Sequence, residues 1–77
     1  MGALIILSVG DILYDTQLSD IGILLARKNG STTLSYESLF ELWVWDIFWI
    51  SEGHALYTEG GLLNMIQEGR LLLYRNT

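Results

Sequence analysis

The sequence predicts a mainly β fold, a small barrel of about five strands with one short helix before the last strand. Three observations carry that expectation. Stretches rich in branched and aromatic residues alternate with turns marked by glycine and asparagine. One segment, opened by Thr58-Glu59, repeats its apolar residues at helical spacing. The 77 residues make one domain, 1–77, and no more.

Val9 to Tyr14 reads as the first strand, and Asp15-Thr16-Gln17-Leu18-Ser19 as the loop after it. Ile21 to Ala26 alternates and is rich in branched residues, so it reads as the second strand. Lys28-Asn29-Gly30-Ser31 is a hairpin signal, because Asn-Gly tolerates the positive φ of a tight turn. Ser31 to Ser38 is polar and ambiguous.

Leu39 to Ile50 reads as the third strand. Leu39/Phe40, Trp43/Val44 and Ile47/Phe48 recur every four residues, as a helical stripe would. Leu42, Trp45, Trp49 and Ile50 lie off that stripe and are just as apolar. A helix here would be apolar all round in a chain too small to bury it. Trp, Val, Phe and Ile favour a pleated surface instead. A bend near Asp46 is compatible with this reading.

Ser51-Glu52-Gly53-His54 reads as a turn and Ala55 to Tyr57 as the fourth strand. The helix follows. Thr58 is an N-cap, and Glu59 places a negative charge in the first turn. Leu62, Leu63 and Ile66 form the inward stripe, and Gly69 closes the helix. Arg70 to Tyr74 is the last strand.

Composition narrows the function. A domain this size buries only about 60% of the surface its unfolded chain exposes. Yet 51% of the residues are apolar before eight glycines are counted. The excess points to contact with other protein chains and to an oligomer or larger assembly. Nine acids against four bases give a net charge of −5, which disfavours nucleic acid as a partner. The sequence has no cysteine, hence no disulfide and no thiolate metal site. Leu4-Ile5-Ile6-Leu7 is too short for a signal h-region and lacks a basic flank, so no signal peptide is expected. No stretch reaches the ~20 apolar residues of a spanning helix, so no membrane partner is expected.

No catalytic residue, cofactor-binding residue or metal ligand is read from the sequence. His54, the single histidine, sits in a glycine-flanked turn, and no nucleophile elbow accompanies it. Asp11, Asp15 and Asp20 lack the alternate spacing of a calcium loop and are expected to hold turns on a solvated surface. Gly53, Gly60, Gly61 and Gly69 are followed by no phosphate-binding signature and read as turns and caps.

The tryptophan segment is the candidate site. In a strand, residues two apart share a face. One face carries Phe40, Leu42, Val44, Phe48 and Ile50; the other carries Trp43, Trp45, Ile47 and Trp49. A small barrel buries only one of them. Val44 and Phe48 are expected in the core. Trp43, Trp45, Ile47 and Trp49 are expected to meet a partner, since tryptophan is enriched at interface hot spots. One alternative covers the second face with the chain's own loops or helix; the opposite assignment puts the tryptophans inside and leaves Phe40, Val44 and Phe48 for the partner.

The order of elements resembles the SH3-like small barrels, in particular short accessory and structural proteins of tailed phages. Val9-Gly10-Asp11-Ile12-Leu13, Asp20-Ile21-Gly22-Ile23-Leu24, the tryptophan strand and Tyr57-Thr58-Glu59-Gly60-Gly61-Leu62 carry the resemblance. The helix is longer than the single 3₁₀ turn common in SH3 folds. The resemblance implies a non-enzymatic virion or accessory protein, located in the virion or the host cytoplasm, with no catalytic residues to carry over. A nucleic-acid-binding small barrel and a regulator that binds a host protein are the alternatives.

Overall fold

The computed structural model describes residues 5–29 and 43–76. It contains β1 (Ile12–Asp15), β2 (Asp20–Asn29), β3 (Trp43–Trp49), β4 (Gly53–Thr58), α1 (Glu59–Gln67) and β5 (Leu71–Tyr74). The strands form one antiparallel sheet in the order β4-β3-β2-β1-β5. The expected five strands and helix are all present. The pairing does not close into a barrel, so β4 and β5 are the edges of an open sheet.

The first strand starts later than expected. Ser8 to Gly10 turn before it: Asp11 N donates to the Ser8 carbonyl at 3.0 Å, and Gly10 takes φ +95°. The second strand runs further, to Asn29, which pairs with Trp43. Gly30 and Ser31 of the expected hairpin lie outside the described residues, as do Ser31 to Ser38 and Leu39 to Leu42. Within the described residues, Trp43–Trp49 is strand, as the segment's all-round apolarity required. β3 runs unbroken through Asp46, so the bend compatible with the sequence there is not present, and the irregularity lies in β2 instead. The β2–β3 register shifts between Leu24 and Ala26, so Leu25 is the extra residue.

The helix follows its sequence signals. Thr58 Oγ1 accepts from Gly61 N at 3.1 Å, which satisfies one free first-turn donor. At the other end Gly69 N donates to the Ile66 carbonyl and Arg70 N to the Met65 carbonyl. That bond pair, with Gly69 at φ +83°, is a Schellman closure. Leu62 is fully buried, and Leu63 and Ile66 pack partly buried beside it.

The core lies on one face of the sheet. Leu13, Leu24, Trp45, Ile47, Trp49 and Leu71 project from the strands, and Leu62 and Leu7 cover them. The helix packs against β3, β4 and β5. Strand β3 therefore alternates strictly: Trp45, Ile47 and Trp49 point in, Phe48 and Ile50 point out. This reverses the expected assignment. The tryptophan face belongs to the chain's own core, and Phe48 is 37% exposed.

Two physical reasons account for the reversal. Asp46 has the same parity as Val44 and Phe48, so burying that face would bury an acid without a charged partner inside. And Gly22 lies opposite Trp49 in the sheet, leaving room for an indole. The arrangement has a cost. Among the described residues the buried indole N–H groups of Trp45 and Trp49 have no hydrogen-bond partner, at a cost of about 1–3 kcal/mol each.

Candidate functional site

Three acids pin the loops at the ends of the sheet, and all three are buried rather than solvated as expected. Asp11 accepts from Ser8 N at 3.0 Å and Asn76 N at 3.3 Å, and Arg75 Nη1 lies 3.4 Å away. One carboxylate thus ties the segment before β1 to the segment after β5. Asp15 Oδ1 accepts from Gln17 N and Leu18 N, which folds the β1–β2 loop. Ser19 takes a positive φ of 55° at its end. Asp20 Oδ2 accepts the Ser51 hydroxyl at 2.6 Å, joining that loop to the β3–β4 turn. The Ser51 hydroxyl is the chief reason the Asp20 carboxyl is held below its ordinary value; burial opposes it, and the Ser51 and Ile21 backbone N–H groups assist. The turn role expected of the three acids is therefore the one they perform.

The basic residues are largely engaged. Arg27 donates through Nε and Nη2 to Glu59 Oε1, at 3.2 and 2.7 Å, and its guanidinium lies 4.0 Å from the Trp43 ring centroid. Trp43, expected at a partner interface, is thus half-buried under an arginine. Arg70 pairs with Asp15 at 3.6 Å and Arg75 with Asp11. Of the four bases, only Lys28 has no acidic partner among the described residues. No continuous basic groove results.

His54 projects from β4, largely exposed. Its Nδ1 lies 3.1 Å from Asp46 Oδ1, and its ring meets Phe48 edge-on at 5.4 Å. Among the described residues no hydroxyl hydrogen-bonds to it.

The surface that stands out is the outer face of the sheet. Directly paired residues share a face. One row therefore crosses all five strands: Tyr74, Ile12, Ile23, Phe48 and His54. A second row runs Leu72, Tyr14, Ile21 and on to Ile50, whose N donates to the Ile21 carbonyl at 2.9 Å. Leu56 stands beside Asp46 in a third. No described helix covers this face, and Ile50 and Leu56 are more than 60% exposed. Its charged residues are Asp46 and, at the far end opposite Val44, Lys28.

β3 alone does not decide which of its two faces is core, and the opposite assignment, with Phe48 outside, is the one its burial follows. Strands β1, β2 and β5 are apolar at both parities as well, and that was the available signal. Of the four expected interface residues, Trp45, Ile47 and Trp49 are buried in the chain's own core and Trp43 is capped by Arg27. Among the described residues no group of histidine and acidic side chains could hold a metal ion, and no helix is long and apolar enough to cross a membrane. No protein-family model matches the chain, and neither the curated proteins nor the solved structures contain a significant match.

Proposed function

We propose that this chain is a non-enzymatic interaction or structural protein that binds other protein chains through the outer face of its sheet. The observation that carries the reading is the row Tyr74, Ile12, Ile23 and Phe48, apolar on four strands and ended by His54 on the fifth, with Tyr74 and Phe48 exposed on the face opposite the helix. Monomeric proteins rarely expose contiguous apolar patches beyond a few hundred Å². The interaction role thus passes from the tryptophans to Phe48 and its neighbours, while the class of function stays the same.

A meander β1–β4 with β5 returned beside β1 supports the SH3-like reading, although β4 and β5 do not pair. Through that resemblance the finer reading is a virion or accessory component of a tailed phage, acting in the virion or the host cytoplasm on its own copies, other virion proteins or a host protein. A nucleic-acid-binding barrel is disfavoured. Three of the four bases are paired with acids, and a single-strand groove needs free ones beside exposed aromatics.

The test is an environment-sensitive apolar dye with the full chain and with a Phe48→Lys/Leu56→Lys variant. The reading expects either strong dye binding by the wild type or self-association that occupies the face, with both lost in the variant. A wild type that neither binds dye nor associates contradicts it.

A further inference from the structure

We draw no further inference here: the strongest candidate, the outer face of the sheet where Phe48, Ile50 and Leu56 are exposed, belongs to the site already described, and nothing in the structure shows what covers it.

Discussion

Gly22 and Trp49 stand directly opposite each other on β2 and β3, and the indole occupies the space a side chain at Gly22 would take. A Cβ there would lie 2.7 Å from Trp49 Cε3 and 2.9 Å from Ile47 Cγ2. The missing side chain in one strand is what allows the large one in its neighbour to point inward. That pairing fixes which face of β3 is core.

Gly22→Ala is therefore expected to destabilise the fold by about 1–3 kcal/mol through overpacking. Trp49→Leu in the same background should recover part of the loss, because the two sites couple. Denaturant midpoints of the two single variants and the double variant check this. Purely additive effects would contradict the contact.

Trp45 is 1% exposed and Phe48 37% exposed. Trp45→Ala should cost roughly 3–5 kcal/mol and leave so small a domain largely unfolded. Phe48→Ala should leave the fold in place and weaken association. Circular dichroism and denaturant midpoints of both variants decide it; comparable losses would remove the distinction between the two faces.

Thr58→Ala should lower stability by about 1 kcal/mol, since the hydroxyl accepts from Gly61 N. Thr58→Ser should retain most of it. An unchanged midpoint in Thr58→Ala would mean that the cap contributes nothing to the fold.

How much of this was legible in the sequence varies by element. The helix was readable at both ends, because Thr58 and Gly69 act through local backbone chemistry that neighbouring residues suffice to define. The strand character of β3 was also readable, since a helix apolar all round had nowhere to go. Its facing was not read correctly. Apolarity at both parities is silent about direction, and tryptophan is as common in interfaces as in cores. The direction was decided by two quieter residues, Asp46 within the strand and Gly22 across from it. The open edges depend on whether β4 reaches β5, a long-range property that no local pattern encodes.

Acid should act through Asp20. Its carboxyl is held below the ordinary value chiefly by the Ser51 hydroxyl. A carboxyl depressed in the folded state contributes stability that is complete above its unfolded value of about 3.9 and is lost as pH falls through the folded one. The denaturant midpoint should therefore decline as pH drops below about 4, and less steeply in Asp20→Asn. Ser51→Ala should shift the Asp20 titration upward, as read from its side-chain carboxyl resonance. A titration that does not move would contradict the assigned cause.

Trp45 and Trp49 are interior residues of a single chain, on the helix-covered face of the sheet. Tryptophan emission and acrylamide quenching of the native protein, followed on dilution from micromolar concentrations, distinguish this arrangement from one in which the indoles meet a partner. Blue-shifted emission, poorly quenched by acrylamide and unchanged on dilution, is expected for interior indoles. Emission that shifts to the red and becomes readily quenched on dilution, while the secondary structure persists, would place the tryptophans at the interface and contradict it.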